Sequence, residues 1–255
     1  MSKKLVNSTL IVPADDIFPE NVRAFSTTRV GGVSMAPYGA GQSGGGFNLG
    51  DHVGDDPAAV LHNRQLLSRY LPSDIAFLSQ IHGIEVVDAY QANYSKQVAD
   101  GCFTNRVGSV CAILTADCLP VLFSDLNGTV VAAAHAGWRG LASGILEVTV
   151  KKMRESGAKD ILAWMGPAIG PAKFEVGHEV VGAFSHFGAP EDFFLNQGAG
   201  KYLADIYSLA RRSLVDAGVT AVAGGEHCTV TESQKFYSYR RDGITGRMAS
   251  VIWMV

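Results

Sequence analysis

The chain has 255 residues, of which 47% are hydrophobic and 18% are charged, and its formal net charge is −3. A near-neutral chain without a long Lys/Arg block is not expected to bind nucleic acid or an anionic membrane surface. Asn7, Ser8 and Thr9 interrupt the short apolar stretch near the start, and no apolar run approaches the roughly 20 residues of a membrane helix. Four cysteines without a CxxC pair do not indicate a disulfide scaffold, so we expect a soluble, cytoplasmic, globular protein.

The first part of the chain predicts a strand, a glycine-rich loop, a helix and two extended segments. "RAFSTTRVGGVS" has the pattern of a strand that ends at a Gly-Gly turn, and the glycine stretch at 39–46 predicts a mobile surface loop. Asp56 resembles an N-cap and Pro57 a first-turn proline, so a helix is expected through "AAVLHNRQLLSRYL". "IAFLSQIHGIEVVDAY" predicts two extended segments with Gly83 at a bend between them.

Two apolar runs in the middle of the chain, "SVCAILTADCLPVLFSD" and "TVVAAAHAGW", predict strands that are buried on both faces. Asn127-Gly128 between them suits a tight hairpin. Beyond them we expect a helix in "GLASGILEVTVKKMRESG" that ends at Gly157, a buried strand in "ILAWMGPAIG", and helices in "GHEVVGAFSHFG" and "KYLADIYSLARRSLVDAGV". "FYSYRRDGITGRMASVIWMV" predicts two extended segments around a glycine-containing loop.

Strands and helices interleave along the chain, and the expected hairpins are incompatible with a purely parallel sheet. The pattern therefore predicts an α/β sandwich with a mixed sheet and helices on the outside. Repeats, low-complexity tails and an interdomain linker are absent from the sequence, so one domain is expected over residues 1–255.

Cys118 and His135 stand where the two central apolar runs end. A free cysteine in an apolar run is more often a small core residue than a functional one. Asp117 and Pro120 flank Cys118, however, and a proline predicts a strand end, where a side chain can reach a cleft. A nucleophile with its base, a pair of metal ligands and two core residues are all compatible with this pattern.

His82, in "LSQIHGIE", likewise follows an apolar extended run and precedes a glycine. Imidazole and thiolate are both good ligands of Zn²⁺, and three protein ligands leave the fourth position open for water or substrate. His82, Cys118 and His135 thus make up a plausible zinc site. The rival interpretation is a Cys118 thiolate activated by His135, as in a cysteine hydrolase.

Several motifs together resemble a known family: "FSTTRVGGVS", "NLGDHVGDDP", "SQIHG", "TADCLPVLF", "AAAHAGWRGLASGIL" and "SYRRDGITGRMASVIWM". From about residue 21 to the C-terminus the chain is similar to the bacterial YfiH/YlmD proteins, a family of laccase-domain proteins that includes mammalian FAMIN. The resemblance implies a single-domain, three-layer α/β/α sandwich with a mixed sheet, whose Cys/His core is shared with a toxin deamidase. It also implies a monomer or homodimer with small-molecule substrates.

The resemblance implies several activities. Members have been described as purine nucleoside phosphorylases for adenosine, inosine, guanosine and methylthioadenosine, with adenosine deaminase activity. Others have been described as polyphenol oxidases (laccases), or as hydrolases that edit a peptidoglycan precursor. The family's metal ligands, for zinc or in the laccase description for copper, fall on His82, Cys118 and His135. The seven histidines include no His-x-His pair, which argues against a four-copper oxidase and favours one zinc ion.

Phosphorolysis requires a site for a phosphate dianion, which guanidinium and backbone N–H groups can provide. Arg29, Arg139 at the expected start of a helix, and the cluster of Arg240, Arg241 and Arg247 are the candidates. Asn48 in "FNLG" is a candidate for hydrogen bonding to a ribose or base, and Asp117 for a general acid/base or for orienting a ligand. The segment "PYGAGQSGGGFNLG" before Asn48 is longer and richer in glycine than the family pattern, which suggests a loop that orders on binding.

Overall fold

The fold is built on two β-sheets stacked face to face, in a computed structural model that describes residues 10–14, 16–40, 44–92 and 97–255. The strands are β1 (Ile11–Pro13), β2 (Val22–Thr27), β3 (Val30–Ser34), β4 (Val86–Asp88), β5 (Gly101–Thr104), β6 (Val110–Thr115), β7 (Leu119–Asp125), β8 (Val131–Ala136), β9 (Ile161–Met165), β10 (Glu175–Val176), β11 (Phe194–Gly198), β12 (Lys201–Ala204), β13 (Ala221–Gly224) and β14 (Met248–Met254). The helices are α1 (Pro57–Ser68), α2 (Ala89–Ala92), α3 (Trp138–Ala142), α4 (Ile145–Glu155), α5 (His178–Ala183), α6 (Ile206–Asp216) and α7 (Tyr239–Asp242).

The larger sheet has six strands in the order β13-β9-β7-β8-β5-β4, and the second has four in the order β1-β2-β14-β6. A small third sheet has the order β10-β12-β11, and its Val176 and Phe194 pack in the same core cluster as the six-stranded sheet. The β13/β9 and β4/β5 pairs are parallel, whereas β7 pairs antiparallel with both β8 and β9. The predicted α/β fold with a mixed sheet is therefore confirmed.

The hydrophobic core is divided by the two stacked sheets. Cys111 and Ile252 of the four-stranded sheet pack with Leu122 and Ala133 of the six-stranded sheet in the layer between them. On its other face the six-stranded sheet packs against α4 and α6, and the four-stranded sheet packs against Leu67 of α1. Helices thus cover the outer faces, and the β layer between them is two sheets thick.

The hairpin of β7 and β8 runs through the middle of the six-stranded sheet, and every residue of both strands is buried. Gly128 in its turn has φ +62° and donates its N–H to the carbonyl of Asp125, which confirms the predicted Asn127-Gly128 hairpin. Pro120 is the second residue of β7 and lies opposite His135, so it marks a strand end as predicted.

Two of the predicted helices have different boundaries in the structure. The helix expected after His135 is broken at Gly144, whose left-handed conformation (φ +98°) separates α3 from α4. The segment 201–204 is strand β12, because it pairs antiparallel with β10 and β11. Helix α6 begins only after Asp205, whose carboxylate caps the N–H groups of Tyr207 and Ser208.

One predicted extended segment near the C-terminus is wrong. Before β14 the chain forms helix α7 in place of a strand, because the Ser238 side chain caps the N–H of Arg241. Of the two extended segments expected on either side of Gly83, the second contains β4, and the first forms a bridge between Ser79 and Val98. The bend between them falls at His82, which has a positive φ of +61°.

Some predictions fall on residues outside the described ranges. Residues 41–43 of the expected loop at 39–46 and the polar residues near the N-terminus lie there, and the single domain over 1–255 stays a prediction. Among the described residues, no helix is long and apolar enough to cross a membrane.

Candidate metal centre

The antiparallel hairpin explains why Cys118 and His135 meet. Leu119 at the start of β7 pairs with Ala136 at the end of β8, so the residue before β7 and the last residues of β8 lie at the same edge of the sheet. Cys118 immediately precedes β7, and His135 is the second-last residue of β8. Two positions 17 residues apart in sequence are thereby brought into one site.

His82 joins them from the turn before β4. Its Nε2 lies 3.7 Å from Sγ of Cys118, and the rings of His82 and His135 are 4.8 Å apart between centroids. The potential ligand atoms of the three residues all lie within 4.8 Å of one another, and no other such group of three occurs among the residues that the structure describes. The three predicted ligands therefore lie together in the fold.

The donor set fits a zinc ion. Zn–S bonds of about 2.3 Å and Zn–N bonds of about 2.0–2.1 Å at a tetrahedral angle place sulfur and nitrogen about 3.6 Å apart, close to the observed separation of Cys118 from His82. His82 is exposed and Cys118 is half-buried, so the group can be reached from solvent. A three-ligand set that water or a substrate can reach is typical of catalytic rather than structural zinc.

Asp100 holds both histidines, and the sequence reasoning missed it. Its fully buried carboxylate lies 2.8 Å from Nδ1 of His135, and it accepts the backbone N–H groups of Ile81, His82 and Gly83 at 2.7–3.1 Å. The bond to Nδ1 leaves Nε2 of His135 for the centre, as in carboxylate–histidine–metal arrangements. The available signal was an acidic residue directly before the buried strand "GCFT".

Gly137 gives the ligands room. A Cβ atom at this position would lie 2.7 Å from Cδ2 of His82 and 3.1 Å from Sγ of Cys118. Any other residue would push a ligand side chain out of place. The glycine in "HAGW" is thus a requirement of the site, as well as the residue before α3.

Without a metal, Cys118 and His135 form an ion pair. Burial raises the pKa of the Cys118 thiol, but the charge and hydrogen bond of His135 and the hydrogen bond of His82 outweigh burial and lower the pKa to about 6. Burial lowers the pKa of His135, whereas the charge of Cys118 and the hydrogen bond of Asp100 raise it to about 9. At neutral pH a thiolate therefore faces an imidazolium, and metal binding has to displace the imidazolium proton.

Asp117 lies beside Cys118 in a left-handed conformation, with φ +90°. One carboxylate oxygen accepts the hydroxyl of Thr229 at 2.5 Å, and the other accepts the backbone N–H of Arg240 at 2.6 Å. Its carbonyl accepts the N–H of Ile169. These bonds fix the turn that presents Cys118, so of the two predicted roles the contacts favour orienting the ligand over acid/base catalysis.

The three predicted substrate-binding residues differ in their burial and in their contacts. Asn48 is fully buried. Its Nδ2 donates to the carbonyl of Gly50 and to the carboxylate of Asp55, and its Oδ1 accepts the N–H groups of Gly50 and Arg247. Arg29 donates to the carbonyls of Ser233 and Gly39. Arg139 is exposed and stacks on Trp138, with 4.4 Å from its guanidinium carbon to the ring centroid. Their contact with a substrate stays a prediction.

Comparison with known proteins adds independent information. A family model described as multi-copper polyphenol oxidoreductase laccase matches residues 23–255. "Purine nucleoside phosphorylase YfiH" of Escherichia coli is 50% identical over 250 residues, which cover 97% of this chain and 100% of the relative.

Solved structures agree with the fold. A crystal structure of a Neisseria meningitidis protein superposes with a TM-score of 0.88 at 46% identity, covering 96% of this chain and 99% of that one. YlmD from Geobacillus stearothermophilus superposes with a TM-score of 0.84 at 32% identity, covering 98% of each chain. The α/β architecture described above is thus the one found in these structures.

Proposed function

Because the chain belongs to the multi-copper polyphenol oxidoreductase laccase family, and a half-identical relative is named a purine nucleoside phosphorylase, we propose that it is a zinc-dependent purine nucleoside phosphorylase. Its substrates would be adenosine, inosine, guanosine and methylthioadenosine, and adenosine would also be deaminated. In phosphorolysis a phosphate oxygen bonds to C1′ of the ribose while the bond from C1′ to the purine nitrogen breaks. The products are the free base, which takes up a proton, and the sugar 1-phosphate: ribose 1-phosphate from the first three substrates and 5-methylthioribose 1-phosphate from methylthioadenosine.

The observation that carries this proposal is the grouping of His82, Cys118 and His135, of which His82 is exposed and Cys118 half-buried. These three residues would hold the metal, and the chemistry gained on binding zinc is Lewis acidity toward water or a substrate oxygen. A single three-ligand group, with no other among the described residues, supports one metal ion rather than the four coppers of a blue oxidase. Copper in the same three ligands is the alternative under which the family's laccase description would apply.

The chain's own residues prepare the centre for this chemistry. Asp100 accepts from Nδ1 of His135 and keeps that proton in place, so that Nε2 is the nitrogen that gives up its proton and would present a lone pair to a metal. Asp117 fixes the turn at Cys118 through Thr229 and Arg240. Gly137 keeps the space between His82 and Cys118 free of a side chain. A site preorganised in this way needs little rearrangement when a metal or substrate binds.

The second candidate is a cysteine-type hydrolase or amidase that acts on a peptidoglycan precursor. The low pKa of Cys118, about 6, favours it, because a thiolate beside a histidine is an activated nucleophile. His82 argues against it, since a cysteine–histidine dyad does not require a second histidine near the sulfur. Metal dependence separates the two, because a cysteine hydrolase would work without metal and would form a covalent adduct on Cys118.

Product analysis tests the proposal. Purified protein is incubated with adenosine, with and without inorganic phosphate, and the products are separated by chromatography. We expect adenine and ribose 1-phosphate only when phosphate is present, and inosine in either case. The variant Cys118→Ser should lose both reactions, whereas Cys102→Ala, a buried cysteine in the layer between the sheets, should keep them. Base release that yields free ribose without phosphate would contradict phosphorolysis.

A further inference from the structure

Arg247 lies close enough to Cys118 of the candidate metal centre to feel its charge. Two nitrogens of its guanidinium group, Nε and Nη2, make no hydrogen bond to the described residues. We propose that Arg247 forms the anion subsite of this centre and binds the inorganic phosphate that attacks the ribose. The assignment rests on the phosphorolysis proposed above, and it goes beyond that proposal in naming the residue that recognises the second substrate.

Strand register places Arg247 near Cys118. In the antiparallel pair of β14 and β6, Met248 lies opposite Thr115. Arg247 directly precedes Met248 and Ala116 directly follows Thr115, so Arg247 adjoins the segment that leads from β6 to Cys118. The end of β6 and the start of β14 therefore bring the arginine to the turn that carries the cysteine ligand.

Part of the Arg247 guanidinium group makes no hydrogen bond to the described residues. Nη1 donates to the carbonyls of Thr245 and Gly246 at 3.1 Å. Within the described part of the chain, Nε and Nη2 make no hydrogen bond, and no carboxylate forms an ion pair with Arg247. Burial lowers the pKa of Arg247, and the negative charges of Cys118 and Asp117 counteract that effect. A half-buried arginine with this open edge can bind two phosphate oxygens at once.

Asn48 and Gly50 hold the arginine in place. Oδ1 of Asn48 accepts the backbone N–H of Arg247 at 2.8 Å, and the Arg247 carbonyl accepts the N–H of Leu49. The side chain of Arg247 runs over Gly50, where a Cβ atom would lie 2.8 Å from Cγ of the arginine. Asn48 is thereby a positioning residue for the subsite, which accounts for a buried amide in the motif "FNLG".

The other candidate arginines are either bonded to neighbouring groups, as Arg29 and Arg241 are, or exposed at the surface, as Arg139 and Arg240 are. Arg29 bonds two carbonyls and lies over the ring of Tyr237. Arg240 donates through Nη1 to the carbonyls of Lys173 and Glu175. Arg241 uses all three of its nitrogens, on Asp242 and on backbone carbonyls. Arg139 is exposed and stacks on its own neighbour. Arg247 differs from the exposed Arg139 and Arg240 in being half-buried and close enough to Cys118 to feel its charge, and it differs from Arg241 in keeping Nε and Nη2 without a hydrogen bond to the described residues.

Steady-state kinetics tests the proposal through the KM for phosphate and the KM for adenosine, measured separately. The variants are Arg247→Gln, Arg247→Lys and Gly50→Ala, with Arg212→Gln as control, because Arg212 pairs with Asp216 on an exposed helix face. Losing hydrogen bonds to a charged group should raise the KM for phosphate roughly 10- to 100-fold in Arg247→Gln, with little change in KM for adenosine. Arg247→Lys should recover part of the loss, since it keeps the charge without the planar fork.

The Gly50→Ala variant displaces the arginine without removing its charge and should also raise the KM for phosphate. Zinc content must match the wild type in each variant that is compared. An unchanged KM for phosphate in a zinc-loaded Arg247→Gln protein overturns the assignment, and so does an equal rise in both KM values.

If the wild-type protein forms no ribose 1-phosphate, the proposed phosphorolysis is wrong. The anion subsite is then tested separately, through the binding of inorganic phosphate. Broadening of the ³¹P resonance of inorganic phosphate by the zinc-loaded protein is then compared between wild type, Arg247→Gln and Arg212→Gln. Broadening that disappears only in Arg247→Gln supports the subsite. Equal broadening in all three proteins, or none in the wild type, overturns it.

Discussion

Oδ1 of Asp100 lies 2.8 Å from Nδ1 of His135. The same oxygen accepts the backbone N–H of His82 at 2.9 Å. One buried carboxylate thus orients two of the three potential metal ligands. Both of its oxygens are in use, since the second accepts the N–H groups of Ile81 and Gly83. The geometry of the centre therefore depends on a residue that would not itself contact the metal.

Replacing Asp100 with asparagine should weaken zinc binding. The amide NH₂ group would face an N–H donor, and the hydrogen bond that orients His135 or the turn at His82 would be lost. Loss of a group that supports a metal ligand typically costs about 10- to 100-fold in metal affinity. Competition against a chromophoric chelator measures the change, with the exposed Asp216→Asn as control. Unaltered zinc affinity in a folded Asp100→Asn protein would show that the carboxylate does not position the ligands.

Adding one methyl group at Gly137 should disturb the same centre. In Gly137→Ala the new Cβ would meet His82 at 2.7 Å and Cys118 at 3.1 Å, so we expect loss of zinc and of activity together. Gly182→Ala in α5 is the matched control, because a Cβ there meets nothing within 4 Å. The control should retain zinc and gain about 0.5–1 kcal/mol of stability from its helical position. Elemental analysis and thermal unfolding of both variants provide the measurements, and a fully zinc-loaded Gly137→Ala protein contradicts the expectation.

The pKa of Cys118 predicts the pH dependence of its alkylation in chelator-treated protein. The thiolate is the reactive form, and its fraction rises as pH increases through the pKa of about 6, so iodoacetamide should react half-maximally near pH 6. Peptide mass spectrometry distinguishes this reaction from that of buried Cys102 and Cys111, which should stay unmodified. Added zinc should protect Cys118. Half-maximal reaction near the ordinary thiol pKa of about 8.5 would mean that the histidines do not stabilise the thiolate.

Asp117 should act by orienting Cys118 and not by proton transfer. Thr229→Val removes the hydroxyl that bonds Oδ1 of Asp117 but leaves the carboxylate in place. If orientation is the role, Thr229→Val and Asp117→Asn both lower kcat while the pH–rate profile keeps its shape. A limb of the profile that is lost in Asp117→Asn but kept in Thr229→Val would instead identify Asp117 as a general acid or base.

What the sequence predicted correctly depends on local signals. The hairpin at Asn127-Gly128 is encoded by a turn dipeptide between apolar runs, and its geometry alone brings Cys118 to His135. His82 could be identified by its residue type and by the resemblance to the YfiH/YlmD proteins. The metal ligands were therefore within reach of sequence reasoning.

The contacts of the supporting residues Asp100 and Arg247 could not be predicted from the sequence, because their partners are distant in the chain. Asp100 meets Gly83 and His135 across 17 and 35 residues, and Arg247 reaches Asn48 across 199. The segment 201–204 shows the same limit for secondary structure, since its pairing with β10 and β11 overrides a helical hydrophobic pattern. Long-range pairing decides these features, and a single sequence carries no direct record of it.

We propose that His82, Cys118 and His135 bind one zinc ion and that phosphorolysis depends on it. The most direct measurement follows zinc content and ribose 1-phosphate formation in the same samples, before chelation, after chelation and after zinc is returned. We predict about one zinc per chain, loss of phosphorolysis with the metal, and recovery of both together. Metal-free protein that forms ribose 1-phosphate at the full rate would contradict the account.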